Sequence, residues 1–265
     1  MNEHPTQTQF RVDPAPLMRG DERTDGPIIL VVVSLTFPGM DAKSYELMSS
    51  FTRIAFDAMR EAGARPRLVD SAATDLAGAD EIFANADGML FLGGGDVDGE
   101  LFGLTSAAPK NSYGVDRRAD DYCIDLIRES VRRDLPTLAI CRGSQLLNVA
   151  FGGSLIPDLE PWELHRGGPG APMFLDEEIL LEEGSIIAEI LGRTRASVRS
   201  GHHQAVDRVA DSLAVTARAH DGVVEGTQHR DASWVIGLQW HPEEPAADRG
   251  DRARVFRALA DRAAR

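Results

Sequence analysis

Six consecutive apolar residues, Ile28-Ile29-Leu30-Val31-Val32-Val33, constrain this chain more than any other stretch. A strand with one wet face alternates apolar and polar residues; this run has no polar member, and its β-branched content disfavours a helix. It belongs inside a parallel sheet covered on both faces. The sequence that follows fits that demand. Leu47, Phe51, Ile54, Ala55, Ala58 and Met59 recur at helical spacing over 43–62, and Gly63 stops the helix. Arg67-Leu68-Val69 reads as a weaker strand, and Met89-Leu90-Phe91-Leu92 as a buried one that ends in Gly93, Gly94 and Gly95. Helical spacing returns over 116–133. Then Thr137-Leu138-Ala139-Ile140 forms a short strand that runs into Cys141 and a further helix over 144–151. This alternation predicts an α/β fold with helices on both faces of a parallel sheet.

After Gly152 the pattern changes. Segments 213–219, 223–227 and 234–240 read as strands separated by short turns, and 251–264 as a closing helix. No internal repeat or low-complexity tract interrupts the chain. The expectation is one domain over 27–265, preceded by a polar, proline-bearing arm over 1–26 that reads as flexible.

Charge narrows the partners. With a net charge of −14, the surface repels phosphate backbones and anionic membranes, so nucleic acid and lipid surfaces are excluded as expected partners. No apolar run is long enough to span a bilayer, and the arm lacks the apolar segment of a secretory signal. Two cysteines, Cys123 and Cys141, are too few for a disulfide framework and suit a reducing compartment. The expected location is the cytoplasm. Self-association is left open.

Cys141 stands between a strand end and a helix start. A tight turn there exposes the side chain, Gly143 permits close backbone approach, and the helix N-terminus favours thiolate over thiol. The unsatisfied amides of the same terminus can stabilise an oxyanion. Read alone, Cys141 would also serve as a small buried residue closing a strand. Cys123, mid-helix on the apolar side, reads as core.

Partners for such a thiol are available in Gln239-Trp240-His241-Pro242-Glu243, just past a strand end. An imidazole there can reach a nucleophile at the same sheet edge, with Glu243 fixing its tautomer. The order Cys141, His241, Glu243 then makes a triad for amide hydrolysis. His202 and His203 raise the question of zinc, but adjacent residues on an extended chain point to opposite faces, and neither a cysteine pair nor a helical His-Glu motif accompanies them. No metal is expected. The glycine loop at 93–95 lacks the Gly-Lys-Ser/Thr ending of a phosphate loop; it is either a plain turn or half an oxyanion hole.

Taken jointly, these stretches resemble the class I glutamine amidotransferase-like family, and within it the γ-glutamyl-γ-aminobutyrate hydrolase group of cysteine peptidases. The resemblance rests on Gly93-Gly94-Gly95-Asp96-Val97-Asp98, Ile140-Cys141-Arg142-Gly143-Ser144-Gln145, Asn148-Val149 and Gly152-Gly153-Ser154-Leu155. It continues in Ser200-Gly201-His202-His203-Gln204, Asp221-Gly222-Val223-Val224-Glu225 and the segment around His241. It implies a flavodoxin-like α/β fold, parallel or mixed in its sheet, with the nucleophile on a strand–helix elbow. It further implies an oxyanion hole from the amides near Gly94 or Gly95 and of Arg142, and substrate contacts from Gln145, Ser200, His202 and His203. The implied activity is cofactor-free hydrolysis of a γ-glutamyl amide through a cysteinyl thioester. The alternatives on the same fold are a glutaminase subunit that supplies ammonia to a separate synthetase and a non-catalytic binder. Gly99, Phe102, Pro157 and Arg199 depart from the group's usual proline, tyrosine, glutamine and asparagine.

Overall fold

The computed structural model describes residues 10–19, 24–107, 109–168 and 170–265. The run that demands a doubly covered strand is β1 (Ile28–Val33). Its side chains divide by parity: Ile29, Val31 and Val33 enter one hydrophobic core, Leu30 and Val32 the other. Asp41 caps α1 (Ala42–Glu61), accepting from the Ser44 N–H at 2.8 Å, and Gly63, at φ +90°, lets the chain turn back. β2 (Arg65–Asp70), the short α2 (Ala79–Phe83) and β3 (Gly88–Phe91) follow. Asp116 caps α3 (Arg117–Arg132), which leads to β4 (Thr137–Ile140) and α4 (Arg142–Ala150).

The remaining elements are β5 (Leu155–Ile156), β6 (Leu175–Leu181), α5 (Ile186–Leu191), β7 (Arg195–Ser200) and β8 (Ala205–Val206). They are followed by β9 (Leu213–Ala219), β10 (Val224–His229), β11 (Val235–Leu238) and α6 (Arg249–Ala263). One sheet runs β2-β1-β3-β4-β11-β10-β9-β6-β7, with β5 and β8 paired beside it. The five strands from β2 to β11 are parallel; from β10 onward each strand is antiparallel to its neighbour. Helices α1, α5 and α6 cover one face, α3 and α4 the other. The expected α/β sheet with helices on both faces is therefore present, and it is mixed.

Segment 175–200 carries β6, α5 and β7, none of which was expected, although Ser185 and Gly192 cap α5 at its two ends. On β6 the acidic Asp176, Glu178 and exposed Leu180 alternate with the inward Glu177, Ile179 and Leu181, so two apolar signals are lost. Of the arm, residues 1–9 and 20–23 lie outside the described residues. Residues 10–19 pack on the domain: Val12 and Leu17 are buried, and the Val12 N–H donates to the Leu35 carbonyl at 2.7 Å. Among the described residues, no helix is long and apolar enough to cross a membrane.

Phe56, on α1, is fully enclosed between that helix and the sheet. Truncation to alanine leaves a ring-sized cavity, and Phe56→Ala should lower the unfolding free energy by about 3–5 kcal/mol in urea titrations.

Candidate active site

The chain leaves β4 at Ile140 and enters α4 at Arg142, so Cys141 must reverse direction in one residue. It does so at φ 51°, a left-handed conformation that a non-glycine residue holds only when its surroundings impose it. Those surroundings are specific. The Cys141 N–H donates to the Leu238 carbonyl at 2.7 Å, extending the β4–β11 ladder by one rung. A Cβ on Gly143 would meet the Phe91 carbonyl oxygen at 2.8 Å, so only glycine lets α4 start this close to β3. The Arg142 side chain turns inward to Asp120 of α3, 2.6 Å away, and both are buried. The other Asp120 oxygen accepts from the Asp98 N–H at 2.8 Å. One carboxylate thus ties the elbow to the segment after the glycine loop.

The same sheet edge receives the loop after β11. The His241 N–H donates to the Arg199 carbonyl at 2.9 Å, and its Nδ1 lies 2.8 Å from Glu243 Oε1. Glu243 is 0% exposed. As a carboxylate it accepts from Nδ1–H, which leaves Nε2 as the free nitrogen. The rings of Phe51 and Phe174 flank the imidazole, with centroids 5.1 and 5.2 Å away. Burial among them opposes charge on His241, but Cys141 and Glu243 outweigh it and push its pKa well above the usual value. Cys141 and His241 line one pocket, beneath Gly93, Gly94 and Gly95. The fit is close: a Cβ on Gly93 would sit 3.0 Å from His241 Cε1 and 3.6 Å from Cys141 Cβ. A Cβ on Gly95 would run into the Gly114 carbonyl. Backbone of the loop is therefore held against the pocket, facing the first amides of α4, which lack partners within their own helix.

The other expected residues divide. Gln145 lines the pocket, but its Nε2 is committed to the Gln204 carbonyl at 2.7 Å and to Gln239 Oε1 at 3.1 Å. His202 and His203 also line it and, as expected, diverge. His202 turns inward to Glu225 and is neutral, burial above all pulling its pKa down to about 3. His203 lies 3.0 Å from both Asp96 and Asp158, whose carboxylates overcome burial and raise its pKa. Ser200 does not reach the pocket: its hydroxyl donates to the His165 carbonyl at 2.8 Å, because it sits on the inner side of β7. Cys123 is buried, as its place on α3 implied.

Several residues in or beside the pocket were not singled out by the sequence. Gln239 donates to Cys141 Sγ at 3.5 Å, an acceptor contact visible only once β4 and β11 are paired. Leu47 and Phe51 read as part of the apolar stripe of α1, and together with Met48 they line the pocket. Tyr113 and Met173 come from loops. A neighbouring cavity shares Met173 and His203 with this pocket; its described lining includes Lys43, Asn111 and Arg166 and no carboxylate.

The comparisons agree with this architecture. The family described as Peptidase C26 matches residues 27–243. A Mycobacterium tuberculosis protein, provisionally named a glutamine amidotransferase, is 35% identical over 66% of this chain and 55% of its own length. Protein NtpR of Enterococcus hirae is 36% identical over 59% of this chain and 66% of its own length. The chain therefore spans between about half and two thirds of these relatives. The γ-glutamyl-γ-aminobutyrate hydrolase of Escherichia coli K12 is 32% identical over 71% of this chain and 76% of the relative. A Thermoplasma acidophilum crystal structure, provisionally named as one of the subunits of a GMP synthase, superposes with a TM-score of 0.60 over 90% of this chain and 96% of its own at 18% identity.

Asp120→Ala would leave the buried Arg142 guanidinium without a counter-charge and the Asp98 N–H without its acceptor. The expected loss is about 3–5 kcal/mol of stability by urea titration. A loss below about 1 kcal/mol would mean that the elbow does not depend on this carboxylate.

Proposed function

The chain belongs to the peptidase C26, glutamine amidotransferase-like family, and on that premise we propose that it hydrolyses a γ-glutamyl amide with Cys141 as nucleophile, His241 as base and acid, and Glu243 as the group that orients His241. The family match and the hydrolase relatives support a hydrolase of this family. A single observation carries the roles of the three residues: His241 lies with Glu243 and Cys141 in one pocket, its pKa raised by both.

The chemistry then follows. The Cys141 thiolate, paired with His241 imidazolium, attacks the γ-carbonyl carbon. Backbone amides near Gly94, Gly95 and Arg142 hold the resulting oxyanion. Collapse breaks the C–N bond as His241 gives its proton to the leaving amine, which departs from a γ-glutamyl thioester. His241, now neutral, takes a proton from water; attack on the thioester releases glutamate and restores the thiolate. Gln145, His202 and His203 form the wall that would face the glutamyl group. Ser200 acts behind that wall, through its bond to the His165 carbonyl.

The adjoining cavity bears on the leaving group. Lys43 and Arg166 in its lining favour an amine that carries an anionic end, such as an aminocarboxylate, over a cationic polyamine. The second reading, a glutaminase that supplies ammonia to a separate synthetase, draws on the relatives provisionally named glutamine amidotransferases. A cytoplasmic setting is the proposed one for a free thiol nucleophile.

The deciding assay is glutamate release from a panel of γ-glutamyl amides and free glutamine. One amide with an anionic leaving group should be turned over preferentially, and Cys141→Ala should lower kcat by at least about 10³-fold. Turnover of glutamine alone, rising when a synthetase is added, would favour the second reading; wild-type turnover by Cys141→Ala would end the first.

The pH profile gives a separate check. The acid that protonates the amine is charged His241, whose pKa is raised, so the alkaline limb of kcat/KM should lie above the ordinary histidine value of about 6.5. Glu243→Gln removes one of the raising charges. It should move that limb to lower pH and reduce kcat by about 10²-fold or more. An unmoved limb would detach Glu243 from the base.

A further inference from the structure

Behind the pocket wall, four side chains from four separate segments converge. His165 follows a short helical turn, Glu177 is on β6, His202 follows β7 and Glu225 is on β10. All four are buried, Glu225 completely. One ligand-type atom from each lies within 4.8 Å of every other.

Hydrogen bonding leaves this cluster incomplete. Oε2 of Glu177 and Oε2 of Glu225 are buried without a hydrogen-bond partner, and His165 Nδ1 has no well-aligned one, its nearest neighbour being Glu177 Oε1 at 2.7 Å. The histidines are oriented from outside the cluster. His165 Nε2 lies 2.9 Å from Asp221 Oδ2, and His202 Nδ1 lies 3.1 Å from the Gln204 carbonyl. A carbonyl only accepts, so the His202 proton is on Nδ1, and its Nε2 presents a lone pair to Glu225 Oε1 at 3.2 Å. His165 Nδ1 lies 2.7 Å from Glu177 Oε1 and 3.8 Å from Glu225 Oε1, and it offers a second lone pair once an incoming ion displaces its proton. Without an ion, only a proton on His165 Nδ1 or on Glu225 can bridge these contacts, and Oε2 of both glutamates stays without a partner. A cation at the centre would engage all four groups at once, the unpartnered oxygens included.

We propose that His165, Glu177, His202 and Glu225 bind one divalent transition-metal ion, zinc before others, as a closed structural site. Two imidazole nitrogens and two carboxylate oxygens form a four-donor set that zinc accepts in tetrahedral geometry. Bonds of about 2.0–2.1 Å put tetrahedral ligands about 3.3 Å apart, in the middle of the separations found here. Asp221 and the Gln204 carbonyl supply the outer acceptors that metal-bound imidazoles use to fix their orientation. A divalent ion would balance the two buried carboxylates. It would also lock together the segments that support His202, and with it the pocket wall.

The test measures metal and not turnover, so it stands apart from the proposed hydrolysis. Full-length protein is loaded with Zn²⁺, dialysed against metal-free buffer and assayed by elemental mass spectrometry; a second sample is loaded with Co²⁺ and its visible spectrum recorded. The expectation is about one zinc per chain and the intense visible bands of four-coordinate cobalt. The double variant His165→Ala, Glu177→Gln should retain neither. Asp221→Asn, on a partly exposed outer residue, should keep the fold and weaken zinc binding by about 10–100-fold. Wild-type protein that retains no zinc and shows only the pale spectrum of six-coordinate cobalt would overturn the proposal. So would zinc uptake that is equal in the wild type and the double variant.

Discussion

The site depends on the register of one parallel strand pair. β4 and β11 run side by side from Thr137 opposite Val235 to Ile140 opposite Leu238, and both leave the sheet at the same edge. The next residues out are Cys141 on one strand and Gln239 to His241 on the other. Thiol, amide and imidazole therefore meet because two strands end level, although about a hundred residues separate them in sequence. A slip of one residue would turn every side chain of β11 to the opposite face and carry His241 away from the sulfur. The hydrogen bond from the Cys141 N–H to the Leu238 carbonyl fastens that level ending.

Cys141 holds a backbone conformation that is unfavourable by about 1–3 kcal/mol for a residue with a side chain. It persists because neighbours on each side leave no alternative. Gly143 lets the helix start against the Phe91 carbonyl, and Arg142 is drawn inward by Asp120. Asp120 also holds the segment that follows the glycine loop. The parts facing the sulfur from opposite sides thus share one buried anchor, and neither can shift without the other.

How much of this was legible in the sequence follows from how local each signal is. β1, α1 and the elbow are written in contiguous residues, and the structure has them at the expected places. Cys141, His241 and Glu243 sit at strand ends, where a parallel sheet gathers functional groups. β6 and β7 were illegible because Glu177 and Arg199 occupy strand positions with charged side chains whose partners are remote in sequence. Ser200 was expected in the pocket because its segment resembles one that lines the pocket in the family, yet strand parity turns it toward the His165 carbonyl. The cluster of His165, Glu177, His202 and Glu225 lay beyond reach for the same reason. No two of its members are close enough in the chain to make a pattern.

Helix α6 begins six residues after the span that the family shares with this chain, which ends at residue 243. Its Val255, Phe256 and Leu259 are nevertheless sealed in the core with α1 and α5. At the other end Val12 and Leu17, also outside that span, are buried. The stretch shared with relatives is thus shorter than the unit that folds. Anyone excising this domain for fusion or display by following the boundaries of similarity would leave an apolar groove the length of a helix open to water, and the excised piece would stick to its own copies.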